Sequence, residues 1–291
     1  IIETLTRYYY GMLRDPDIDI APPMYSKENI GHEIVITADG VIAAINDLRE
    51  ITEKKKYISI KMIVPEQPRK SNNISPSLLS GTCEYILGIK TTSKSKKDNP
   101  ERLEKMHRKF KELNIEILAD VNDKAVKAYL RFLNNWVPAK VADYQKFEKA
   151  FKELQESISL IVFRMEGDEQ YIHEKEAVKT AWEKYKGSSK SDFIGQCLIT
   201  GKMAPIARIH PAIKGIKGGQ AQVSLVTYNF GAAELFGKKD GENAPISEEV
   251  AFAYTTALNH LLKSRDNCVK IGDTTIVFWA EKGNGKTQFM D

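Results

Sequence analysis

Apolar residues recur three or four apart at Ile2, Leu5, Tyr9 and Leu13, a spacing that predicts an opening helix. The period then changes. After "APPMYSKENI", read as a turn region, "HEIVITADGVIAAINDL" resolves into two strands joined by Asp39-Gly40, a dipeptide that tolerates the positive φ of a tight hairpin. "YISIKMIVP" alternates from Tyr57 to Val64 and predicts a third strand of the same sheet, stopped by Pro65. "EQPRKSNNISPSLLSG" is rich in proline, serine and asparagine and reads as an exposed loop.

From Asn99 to about Leu154 the pattern is helical, in "NPERLEKMHRKFKEL", "VNDKAVKAYLRFLNNW" and "DYQKFEKAFKELQ", with Pro138 dividing the last two. "ISLIVFRM" has the β-branched content of a buried strand, and a charged helix is predicted from about Asp168 to Tyr185. Further strands are expected at "FIGQCLIT", "VSLVTYNF" and "TTIVFWA". Between the last two lies a long helix, "SEEVAFAYTTALNHLLK", with Ser247 as N-cap and no full capping box. No regular βαβ alternation appears, so the fold class is α+β with mainly antiparallel strands.

At 291 residues the chain is long enough for one large domain or for two lobes, here divided at 1–155 and 156–291. The formal charge of +4 is mildly basic and unevenly spread, so local patches matter more than the total. Cys83, Cys197 and Cys268 are odd in number, far apart and without a CxxC pair, which points to reduced thiols in a cytosolic protein. Charged residues interrupt the first helix, which excludes a signal peptide or membrane span there, and a start at Ile1 places the numbering a little way inside the gene product.

Four motifs bear on chemistry. Ala280 to Thr287 fits a permissive phosphate-loop pattern after a strand, but the helix that should carry the anion on its N-terminus does not follow. "CLITG" has Thr200 where a zinc knuckle needs its second thiolate, leaving His210 as the nearest substitute, and reads as a turn without metal. His32-Glu33 and His173-Glu174 do not extend to HExxH and read as surface residues. No nucleophile elbow or cysteine signature occurs, so neither an enzyme nor a cofactor or metal is expected.

The basic loops point elsewhere. "RIHPAIKGIKGGQAQ" holds cations and no acid: Arg208, Lys214 and Lys217 accompany Gly218 and Gly219, where the backbone can approach a phosphate chain, and Gln220 and Gln222 can meet base edges or wedge between bases. Lys238 and Lys239 add charge, and Arg69, Lys70, Asn72 and Asn73 form a second cation-plus-amide set. Phosphate contacts and backbone approach are assigned to the lysines and glycines, and base reading to the asparagines. Alternatives are a phosphate-loop nucleotide-binding fragment and an architectural adaptor.

The run "CLITGKMAPIARIHPAIKGIKGGQAQVSLVTYNFGAAELFGKKDGENAPISEEVAFAYTTALNHLL", with "IGDTTIVFWAE" and "YYYGMLRDPDIDIAPPMYS", resembles the large subunit of the type I-C CRISPR Cascade surveillance complex, a Csd-type family. The resemblance covers essentially the whole chain against the amino-terminal portion of a longer protein and implies a C-terminal helical bundle beyond it. It also implies a non-catalytic, cytoplasmic subunit that binds double-stranded target DNA, checks the motif adjacent to the protospacer and helps open the duplex. Its partners would be the crRNA, the crRNA-capping and backbone subunits, and a helicase-nuclease recruited later. Protein would read the short motif while base pairing reads the rest.

Overall fold

The computed structural model describes residues 1–53, 56–67, 73–92, 99–157, 159–188, 193–216, 223–228 and 237–280. The fold is α+β, and the chain separates into two compact units, Ile1–Pro23 with Ser189–Asp291, and Met24–Ser188. The division does not fall at 155/156, because the strand that follows that point is hydrogen-bonded back to the first strand of the chain.

In the unit Met24–Ser188, strand β1 (Tyr25–Ile36) is common to a four-stranded sheet. It pairs antiparallel with β2 (Ile42–Asp47) over His32–Ile36 and with β5 (Ile60–Pro65) over Tyr25–Ile30. It pairs in parallel with β6 (Leu160–Met165). Gly40 at φ +77° makes the hairpin turn; the adjacent helix also leaves no room there, since a Cβ would lie 2.4 Å from the Phe132 backbone nitrogen. Residues Glu50–Ile51 (β3) and Tyr57–Ile58 (β4) form a small ribbon of their own, so the run expected as one strand from Tyr57 is split at Ser59.

Helices α2 (Cys83–Ile86), α4 (Lys124–Asn135) and α5 (Glu148–Glu156) pack on the strands of the sheet, α3 (Pro100–Leu118) packs on α2 and α4, and α6 (Glu176–Ser188) packs on α3. Asn99 and Asp123 cap α3 and α4 through their side chains, at Arg102 N–H and at Ala125 and Val126 N–H. Tyr129, Phe132 and Phe163 join α4 to β6, with Tyr129 and Phe163 edge to face at 4.7 Å.

Several expectations change here. The expected turn is confined to Pro23 and Met24, and "YSKENI" is the first half of β1, held by β5. Leu78, Leu79, Ser77 and Ser80 are buried rather than exposed, and Asn114 on α3 binds the Ser77 carbonyl and the Leu79 N–H. The helix expected from Asp168 begins only at Glu176: Ile172 and His173, in a single 3-10 turn before it, are drawn into the core. His32, Glu33 and His173 are buried, not surface residues. His32 and Glu33 sit where β1 has partners on both edges, and the Glu33 carboxylate is met by Arg164 and Asn46.

The other unit packs α1 (Ile2–Leu13) against α7 (Glu248–Leu261). Leu5, Tyr9 and Met12 enter a core with Val250, Ala253, Tyr254, Ala257 and Leu261. Tyr9 meets Phe252 edge to face at 5.9 Å and donates its hydroxyl to the Ala21 carbonyl at 2.9 Å. Ser247 caps α7 by accepting from Val250 N–H at 3.3 Å. Among the described residues the unit also has two antiparallel ribbons, β7 (Ile194–Gln196) with β8 (Met203–Pro205), and β9 (Cys268–Ile271) with β10 (Thr274–Val277). The strand expected at "VSLVTYNF" is, over residues 223–228, a single bridge from Val223 to Ile213.

Candidate nucleic-acid interface

Arg208 reaches the surface because the chain before it is tied down. Ile206 bridges Ser247, and Ala207 N–H donates to the Ile246 carbonyl at 2.9 Å. The next residue turns outward, and its side chain is 71% exposed. Gly241 N–H donates to the Arg208 carbonyl at 3.1 Å, and the Arg208 guanidinium lies 3.4 Å from an Asp240 carboxylate oxygen. A Cβ on Gly241 would fall 2.0 Å from the Ala207 carbonyl oxygen, so only glycine permits this approach. Arg208 is thereby held beside the segment that carries exposed Lys238 and Lys239.

Beyond Arg208 the chain is pinned to α7. His210 is buried, its Nδ1 2.6 Å from the Tyr254 hydroxyl. Asn259 clamps the following turn from both sides: its Nδ2 donates to the Ala212 carbonyl at 3.0 Å and its Oδ1 accepts from Lys214 N–H at 2.7 Å. Ile213 is buried and donates to the Val223 carbonyl at 2.7 Å, closing the base of the loop between them. Lys214 and Gly215 stand exposed just past this closure, with Gly215 at φ +90°.

Lys214 is thus an exposed cation on the turn held by Asn259, and Arg208 with the Lys238–Lys239 segment forms an anchored cationic surface. Two acids temper it, Asp240 at Arg208 and Glu242, whose carboxylate accepts Lys239 N–H at 3.0 Å. Exposed lysine and arginine side chains on a fixed backbone suit phosphate oxygens, which take charge and hydrogen bonds without reading sequence. Lys217, Gly218, Gly219, Gln220 and Gln222 lie outside the described residues, as do Arg69, Lys70 and Asn72; Asn73 is exposed and belongs to the other unit. The phosphate-loop pattern lies outside them too, apart from Ala280.

Cys197 is fully buried and accepts Ser247 N–H on its sulfur at 3.3 Å. Burial alone would push this thiol up, but the N–H groups of Ser247, Thr200 and Ile199 draw it down to about 7. The sulfur thus helps seat the start of α7 under the Arg208 segment. Asn259 was not singled out from sequence; its one signal is a polar amide among the apolar residues of "TALNHLL".

No helix among the described residues is long and apolar enough to cross a membrane. The profile of a family described as CRISPR-associated protein (Cas_Csd1) matches residues 5–291. No curated protein matches the chain at a significant level.

Proposed function

The chain belongs to the Cas_Csd1 family of CRISPR-associated proteins, and from that premise we propose that it is the non-catalytic, DNA-binding large subunit of a type I-C Cascade. In this reading it recognises the motif adjacent to the protospacer in double-stranded DNA, helps open the duplex, and recruits the helicase-nuclease from a cytoplasmic complex containing crRNA. The observation that carries the DNA-binding part is the joining of Arg208 to the Lys238–Lys239 segment through Gly241, with Lys214 fixed nearby in the chain by Asn259. A solvated loop needs no such anchoring. A surface that must meet a regular array of phosphates gains from it, because less conformational entropy is lost on binding.

The test uses the assembled complex and duplexes that differ only in the flanking motif. Lys214→Ala combined with Lys238→Ala and Lys239→Ala is expected to weaken all duplexes together and to flatten the salt dependence by about 0.9 in slope per lost phosphate contact. Asn72→Ala and Asn73→Ala are expected to reduce discrimination between motifs instead. Unchanged duplex capture after charge reversal of the three lysines would overturn the reading and leave an architectural role.

A further inference from the structure

Three side chains from three elements converge where α5 meets the end of β2. His32 on β1 lies opposite Asp47 on β2, so both project from the same face of the sheet. His32 Nε2 is 3.9 Å from Asp47 Oδ1. Glu153 on α5 adds a second carboxylate, and one ligand atom from each residue lies within 4.8 Å of the others. The imidazole is 1% exposed, yet neither ring nitrogen has a hydrogen-bond partner. A buried polar group left so costs about 1–3 kcal/mol, and neutral imidazole nitrogen is also the commonest metal ligand in proteins.

We propose that His32, Asp47 and Glu153 bind a divalent transition-metal cation of the zinc class, with water as a fourth ligand. One imidazole and two carboxylates suit zinc, whereas magnesium and calcium select oxygen alone. Ligand atoms about 2.1 Å from a tetrahedral centre stand roughly 3.4 Å apart, so the cluster must contract by about an ångström. Glu153 can supply that movement, since its long side chain is 35% exposed.

The cluster contains its own competitor. Arg49 donates Nε to Asp47 Oδ1 at 2.8 Å and Nη2 to Oδ2 at 2.7 Å, and Lys149 Nζ lies 3.8 Å from Glu153 Oε1. A cation entering the site displaces the guanidinium from Asp47, and the Tyr57 ring, 4.5 Å from the guanidinium carbon, retains it nearby. Two arrangements of the same residues follow, one bridged by arginine and one by metal. The metal-bridged form ties the β1–β2 hairpin to α5.

The experiment titrates the chelator-stripped chain with Zn2+ by calorimetry and with Co2+ by visible absorption. One saturable equivalent is expected, weakened at least tenfold in Glu153→Gln and in His32→Gln and tightened in Arg49→Gln. Glu153→Gln, at a partly exposed position, keeps the test decisive should His32→Gln fail to fold. Absence of saturable binding, or equal affinity in the wild type and Glu153→Gln, would overturn the proposal.

Discussion

Arg164 grips Glu33 with two hydrogen bonds, Nε to Oε2 at 3.0 Å and Nη2 to Oε1 at 2.8 Å. The pair links β6 to β1, and the remaining guanidinium nitrogen donates to the Asp168 carbonyl at 2.9 Å. Burial raises the carboxylate, but the bonds from Arg164 and Asn46 outweigh it and hold Glu33 below the usual carboxylate range. Its contribution to stability is therefore present above the unfolded carboxylate's pKa and is lost as pH falls through the lower folded value.

Glu33→Ala leaves Arg164 with no partner for that fork. Because the Arg164 side chain is 28% exposed and can rehydrate, the expected cost is about 2–3 kcal/mol, below the roughly 3–5 of a fully buried pair. Urea unfolding should show a lower midpoint at an unchanged slope.

Asn114 is a completely buried hub. It donates to the carbonyls of Ser77 at 3.0 Å and Phe110 at 2.8 Å, and accepts from Leu79 N–H at 2.8 Å and the Tyr129 hydroxyl at 3.0 Å. Asn114→Leu fills similar space but strands the last two donors, at an expected cost of about 2–4 kcal/mol. Amide exchange at Leu79 should accelerate with it.

His173 is held neutral by burial, which pushes its pKa down to about 4 from the ordinary 6.5. The unfolded chain takes up this proton first, so folding stability falls as pH drops from 6.5 toward 4 and the loss levels off below that. His173→Phe removes the proton uptake. Across that window the wild type should lose about 3 kcal/mol more than the variant, as read from unfolding at successive pH values.

Gly241→Ala removes no charge, but its Cβ would collide with the Ala207 carbonyl and force Arg208 away from the Lys238–Lys239 segment. Weaker duplex capture by the assembled complex is expected, comparable to loss of the lysines, with a measurable fall in melting temperature. Full capture with the loops displaced would show that the juxtaposition is irrelevant to binding.

The elements legible in the sequence were those whose signal is local. Apolar spacing in α1, the Ser247 cap on α7 and the Asp39-Gly40 turn each depend on a few neighbouring residues, and each stands where the pattern placed it. The cationic residues were equally legible, because charge is a property of composition. Long-range pairing was not: β6 joins β1 in parallel from 130 residues away, and that union, invisible to any local period, buries His32 and Glu33 and shifts the domain division. Likewise, Gly241 and Asn259 acquire their roles only from what tertiary packing sets against them. A chain's periodicity encodes which face is apolar; the partner that covers the face, and the charges trapped beneath it, depend on contacts between distant segments.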